Sequence, residues 1–358
     1  MKRKLVSLLI VGSMALGLMS CGNTSDSSEA APANAEVEAG AEAATESGAV
    51  YKVGIIQYVD DASLNQIEAN IESQLDELGK EYGVTFDYAD YYYNGQADAT
   101  TINQIVAELI NDQVDILVPI ATPTAMICQA ATEDNQIPVV FAAVSDPEAA
   151  GLVASNDAPG ANVTGTSDGL NTEAVFDLMF AQDRDIQKVG LLYDKGQDAS
   201  AGPIAAAKKY LEAKDVEYVE KTGNKNDEVM LAADALVAEG VDAVFTPTDN
   251  TIMTAELGIY EKFIDAKIPH YCGADSFALN GAYLGYGVNY ATLGKETANM
   301  VAEILVNGAK PATLPVKLLD NGIATVNTET ADAIGFDYSK IKDLCDGFVE
   351  VKTAEEFD

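Results

Sequence analysis

One histidine, His270, is all the imidazole this 358-residue chain has, and most catalytic arrangements go with it. A serine–histidine–carboxylate triad could form only through His270, which lies in the strand-like run IPHYCG, where a structural role is expected. Neither a Walker phosphate loop nor a Gly-x-Gly-x-x-Gly turn occurs, so both common nucleotide cradles are missing. Cysteine is scarce too. The four residues show no Cys-x-x-Cys and no zinc spacing, and the acids follow no EF-hand pattern, so no metal or other cofactor is expected. Pairs such as Asp60-Asp61, or Asp249 with Asp275, have the residue types of a glycosidase, but nothing in the sequence fixes their separation. A binding protein is expected rather than an enzyme.

Basic residues are the other shortage. Lys and Arg number 21 against 57 Asp and Glu, a formal net charge of −36. Beyond the first few residues there is no Lys/Arg-rich run, which excludes nucleic acid as a partner and opposes binding to anionic lipid. The acidity reads as a solvated surface; a bias toward cationic or zwitterionic ligands is the alternative reading.

What is present begins at the N-terminus. Lys2, Arg3 and Lys4 precede an apolar run, residues 5–19, of secretory-signal length and short for a membrane span. Leu18-Met19-Ser20-Cys21 reads as a lipobox, with Cys21 the lipidated residue of an exported protein. Residues 1–21 are therefore expected to be a lipoprotein signal peptide and its cysteine. Residues 22–49, rich in Ala, Glu, Ser and Thr, are expected to form a flexible tether to the extracytoplasmic face of the cell membrane. The remaining Cys128, Cys272 and Cys345 are odd in number, and buried free thiols are expected of the first two.

From residue 51 on, short apolar runs alternate with helical periodicity. VGIIQY (residues 53–58) precedes Leu64, Ile67, Ile71, Leu75 and Leu78, one apolar helix face that Ser63 could cap. VTFDYAD, a helix face through Ile102, Ile105, Val106, Leu109 and Ile110, DILVPIA and a helix opening at Pro123 follow, then IPVVFAAVSDP. Strict alternation implies parallel sheets covered by helices on both faces. The plan then repeats: KVGIIQ returns as KVGLLY, VDILVP as VDAVFTP and IPVVFAAVSD as IPHYCGADS, each about 130 residues further on. Two α/β lobes of one topology follow. Open parallel sheets bind ligands beyond the carboxyl ends of their strands. Those ends offer Thr122, Thr124, Ser145 and Asp146 in one lobe, and Thr248, Asp249, Asn250, Thr251, Asp275 and Ser276 in the other.

Taken together, the segments VGIIQYVDDASLNQIEANIESQLDELG, DILVPIATPTA, IPVVFAAVSDPEAAGLV, PGANVTGTSD, KVGLLYDKGQDAS, AVFTPTDNT and LGKETANMVAEIL resemble the bacterial ABC-transporter substrate-binding lipoproteins of the tryptophan/tyrosine type. The resemblance implies a type I periplasmic-binding-protein fold: two doubly wound parallel-sheet lobes joined by a three-crossover hinge. Crossovers are expected near Ser167-Asp168, Asp275-Ser276 and Pro311, giving one lobe of residues 51–167 plus 276–309 and another of 168–275 plus 310–358. A helix over residues 292–307 then belongs to the first lobe.

The implied function is that of the extracytoplasmic solute-binding lipoprotein of an ABC importer. It would be a monomer working with permease and ATPase subunits and touching the membrane only through its anchor. A zwitterionic aromatic amino acid fits the polar residue types, its carboxylate met by helix N-termini and Thr/Ser hydroxyls. Its ammonium is expected at Asp275, with Asp249 and Asp146 as the other candidates, and its ring near Tyr58, Tyr193 or Phe277. Asp168 joins the site residues at the hinge, and Asn250 and Ser145 are either ligand contacts or helix caps. Where the family commonly carries a Glu-His pair after the first strand, this chain reads Asp60-Asp61, which loosens the inference to ligand identity. A purine, nucleoside or other small solute, or a receptor role with a signalling partner, are the alternatives.

Overall fold

The computed structural model describes residues 48–182, 185–319 and 321–357; the expected signal peptide with Cys21 and nearly all of the expected tether lie outside them. Along the chain come β1 (Val50–Gln57), α1 (Ala62–Tyr82), β2 (Thr85–Asp87), β3 (Tyr92–Asn94), α2 (Ala99–Asn111), β4 (Ile116–Ile120), α3 (Thr122–Thr132), β5 (Val139–Phe141) and β6 (Val163–Ser167). Then follow α4 (Thr172–Ala181), β7 (Lys188–Tyr193), α5 (Asp198–Ala213), β8 (Glu217–Thr222), α6 (Asn226–Glu239), β9 (Ala243–Thr246), α7 (Asn250–Ala266), β10 (His270–Cys272), α8 (Asp275–Leu279) and β11 (Leu284–Gly287). The last elements are α9 (Tyr290–Leu305), β12 (Lys317–Leu318), β13 (Ile323–Asn327), α10 (Thr328–Ile334), α11 (Ser339–Lys342) and β14 (Gly347–Val351).

Two sheets result. The first has the order β12-β6-β5-β4-β1-β2, with β3 also on β1, and the second β14-β13-β11-β10-β9-β7-β8. All pairings are parallel except β11 with β13. That exception has a simple cause: β13 enters the second sheet directly from the first lobe, so it starts at the lobe junction where β11 ends.

The apolar stripe of α1 is buried throughout, at Leu64, Ile67, Ile71, Leu75 and Leu78. Its cap is Asp61 rather than Ser63: the Asp61 side chain accepts from the Ser63 and Leu64 amides, and Ser63 lies within the first turn. The aspartate wins because a cap must sit outside the helix with its carboxylate reaching the second and third amides. The α9 helix packs along α1, closely enough that a Cβ on Gly294 would lie 2.5 Å from Ile67 O. Cys128 and Cys272 are buried free thiols.

The crossovers differ from the expected positions. The chain leaves the first sheet after Ser167, but α8 and β11 still belong to the second lobe, and the return comes at Val288-Asn289 instead of Asp275-Ser276. The final crossing follows β12, whose Lys317 and Leu318 pair with Thr166 and Ser167, and so lies beyond Pro311. A two-residue, solvent-exposed strand carries no apolar signal that a sequence reading could detect.

Candidate functional site

Strand ends of both sheets face one another across a cleft. A cavity of about 300 Å³, counting space open to solvent, is lined from the first lobe by Ser63, Leu64, Ala121, Thr122, Ala143, Ser145 and Tyr290, with Asp168 at the hinge. The second lobe contributes Ala199, Thr248, Asn250 and Met253. No Lys, Arg or His lines it. The walls converge, leaving room at the centre for about one water molecule.

Thr122 opens α3, where the strand-to-helix turn passes through Ala121 at φ 78° and no side chain caps the helix. The Thr122 and Thr124 hydroxyls are both buried and find no hydrogen-bond partner in the protein. Buried hydroxyls are rarely left so. An uncapped helix N-terminus beside an unpaired hydroxyl is suited to an anionic oxygen. Thr122 lines the cavity, whereas Thr124 does not.

Asp168 is 3 % exposed. It accepts hydrogen bonds from Ser145 Oγ at 3.0 Å and Tyr290 OH at 3.3 Å, and burial raises its carboxyl above the usual range. A buried carboxylate with only neutral donors around it favours a cation nearby.

The other expected residues divide. Asn250 lines the cavity and bonds Gln197 Oε1 through Nδ2 at 3.1 Å; Thr248 lines it too and donates to Gly273 O. Asp249 is spent within its own lobe: it caps α7 through the Thr251 and Ile252 amides and accepts from Asp194 N–H at 2.7 Å and Ser200 Oγ at 2.6 Å. Asp146 accepts from the Ala149 amide and borders an adjoining groove that also touches Asp198. Tyr58 is half-buried at the end of β1, its phenol pushed up by burial, with Gln197 of the other lobe pulling the opposite way. Tyr193 turns away and donates to Glu220 on β8 at 2.6 Å. Asp275 does not line the cavity; it accepts from Ser63 Oγ at 2.6 Å and Gln66 Nε2 at 3.2 Å.

The sequence does not mark Tyr290, Met253, Ala199 or Leu64 as cleft residues: each lies within a helix, and Leu64 reads there as part of the apolar face. The run Gly165-Thr166-Ser167-Asp168-Gly169 does have the spacing of a nucleophile elbow. Here Ser167 ends β6 and its hydroxyl accepts from the Gly169 amide, while the chain's histidine is buried elsewhere between Thr246 Oγ1 (2.8 Å) and Glu256 Oε1 (3.0 Å).

The Asp61 carboxyl that caps α1 is pushed up to about 7, first by burial and further by the nearby Asp275 charge. Because the folded value exceeds the ordinary 3.8, the native state holds the extra proton between those limits. The associated stability is complete below about pH 4 and is lost as pH rises through 7. Melting temperature should therefore fall between about pH 4 and 7, and Asp61→Asn, which keeps a good helix cap, should flatten that fall by a few degrees. An identical slope in the variant would refute this.

The chain matches the model of the ABC transporter substrate binding protein family over residues 52–341. A tyrosine-binding protein of Clostridioides difficile (strain R20291) is 28% identical over 334 residues, covering 93% of this chain and 92% of that protein. Among solved structures, an ABC domain from Streptococcus pneumonia in complex with L-Trp superposes with a TM-score of 0.77 at 27% identity, over 84% of this chain and all of that one. A ligand-free, open substrate-binding protein with adhesive properties from Clostridium difficile reaches 0.64 at 29% identity, over 85% of this chain and all of that one. With two facing α/β lobes, a cleft between their strand ends and this match across most of its length, the chain belongs to the ABC transporter substrate-binding proteins, a family of binders and not of enzymes.

Proposed function

We propose that this protein is the extracytoplasmic solute-binding lipoprotein of an ABC importer, anchored through Cys21, and that its solute is an aromatic amino acid. The observation that carries the reading is the pairing of opposite preferences within one small cavity. Asp168, buried and faced only by neutral donors, receives the ammonium; the α3 N-terminus and the unpaired Thr122 hydroxyl receive the carboxylate. Asn250 and Thr248 close the polar rim from the second lobe, and Tyr290, Met253 and Leu64 supply apolar wall for the ring. On this geometry the ammonium role expected of Asp275 passes to Asp168. With room at its centre for about one water molecule, the cavity admits a solute of amino-acid size only when the lobes move apart. The tyrosine and tryptophan named for two relatives support the aromatic class. Delivery to permease and ATPase subunits as a monomer, held to the membrane by acyl chains alone, completes the proposal.

A thermal-shift screen of the twenty amino acids and common nucleosides tests it. Binding to the native state alone adds about 2.7 kcal/mol at a hundredfold excess over Kd. Tyrosine, tryptophan or phenylalanine should raise the melting temperature by several degrees. A shift produced only by nucleosides, or by no amino acid, would overturn the assignment.

A further inference from the structure

On the face of the cleft formed by α1 and α8, the lobes touch through a carboxylate set behind the cavity wall. Ser63 Oγ donates to Asp275 Oδ1 at 2.6 Å and accepts from Ser276 N–H at 3.2 Å. Gln66 Nε2 donates to Asp275 Oδ2 at 3.2 Å. Both oxygens of a second-lobe carboxylate are thus held by the first turns of a first-lobe helix, the end at which the macrodipole favours negative charge. The chain's last residues add a clasp on the same edge. Ala354 N–H bonds Leu279 O at 2.9 Å and Asn280 Nδ2 bonds Ala354 O at 2.8 Å, fixing this segment to the end of α8. From there Glu356 reaches across and accepts from Asn65 Nδ2 of α1 at 2.8 Å. These contacts occur in a structure that superposes better on the L-Trp complex (TM-score 0.77) than on the open relative (0.64), at similar identity.

We infer that Asp275 is a positioning residue: it joins the two lobes, sets how readily the cleft closes, and acts on the solute only through that closure. A solute held between lobes binds with its intrinsic affinity reduced by the fraction of protein that closes, so any interlobe bond present only on closure tightens binding without touching the solute. The affinity arm of this inference rests on the proposed solute-binding role; the conformational arm does not.

Gln66 offers the cleanest handle, because it faces Asp275 and lies outside the cavity. Gln66→Lys puts an ammonium against the carboxylate, and Gln66→Glu puts a second carboxylate there. Small-angle scattering of the ligand-free, full chain should give a larger radius of gyration for Gln66→Glu than for Gln66→Lys. Stopped-flow release of L-tyrosine or L-tryptophan should be about tenfold faster from the Glu variant than from the Lys variant. Adding Asp275→Asn to both should remove the difference, since the two substitutions act through one contact. Equal radii and equal release rates would overturn the inference, as would a difference that survives Asp275→Asn. Loss of binding in Asp275→Asn alone, with both Gln66 variants unchanged, would place Asp275 on the solute and overturn it too. If no amino acid binds, the proposed solute falls, and the radii still decide the role of Asp275.

Discussion

Asp168→Asn should weaken binding of the proposed aromatic amino acid by roughly 30- to 5,000-fold, the equivalent of about 2–5 kcal/mol, while the ligand-free protein melts nearly as before. The asymmetry follows from its surroundings. Asp168 is 3 % exposed in a cavity whose lining has no cation, and burial already disfavours its charged form. Ionised Asp168 costs the empty site something, and an ammonium in contact with it offsets that cost. Asparagine keeps the shape and one acceptor for Ser145 or Tyr290 but forfeits the charge. Because the remaining donors are neutral, apo stability should move by no more than about 1 kcal/mol. Calorimetric titration beside a melting curve reads both quantities. Unchanged affinity would take the ammonium away from Asp168 and, with it, the proposed orientation of the solute.

Cys21→Ala should transfer essentially all of the protein from the membrane fraction to the soluble one, with solute affinity unaltered. No helix among the described residues is long and apolar enough to cross a membrane, and a net charge of −36 opposes adhesion to anionic lipid. Under the proposed anchoring, attachment then rests on acyl chains, at about 0.8 kcal/mol per buried methylene, and removing the acylated thiol removes all of it. The cavity depends on residues from Ser63 onward, which explains the expected constancy of affinity. Fractionation after a high-salt wash is the measurement. Retention of the variant in the membrane pellet would mean that something other than Cys21 holds the protein there.

Asp168 and Asp275 show how far strand-end reasoning reaches. Parallel sheets gather the carboxyl ends of their strands on one edge, and Thr122, Ser145, Thr248 and Asn250 were legible as cleft residues because each follows an apolar run at such an end. Asp249 and Asp275 follow apolar runs equally well. Their carboxylates are nevertheless occupied, one by Ser200 and three amides, the other by Ser63, 212 residues away. Tyr290, at the start of α9, reaches the hinge carboxylate of Asp168 from 122 positions along the chain.

The alternating elements, the repetition of one lobe plan in the other, the stripe that buries α1 and the edge on which polar residues gather are all legible in the amino-acid order. Each of these depends on the local period of apolar side chains, which a chain carries wherever it is folded. Long-range pairing in the folded chain sets which sheet the short strands β11 and β12 join, and therefore where the chain crosses between lobes. It also decides which buried carboxylate faces the cavity and which ties α1 to α8. Periodicity states that a side chain is buried. What it is buried against depends on partners brought from distant parts of the chain, and the hydrogen bonds made there determine whether a carboxylate remains available to a ligand.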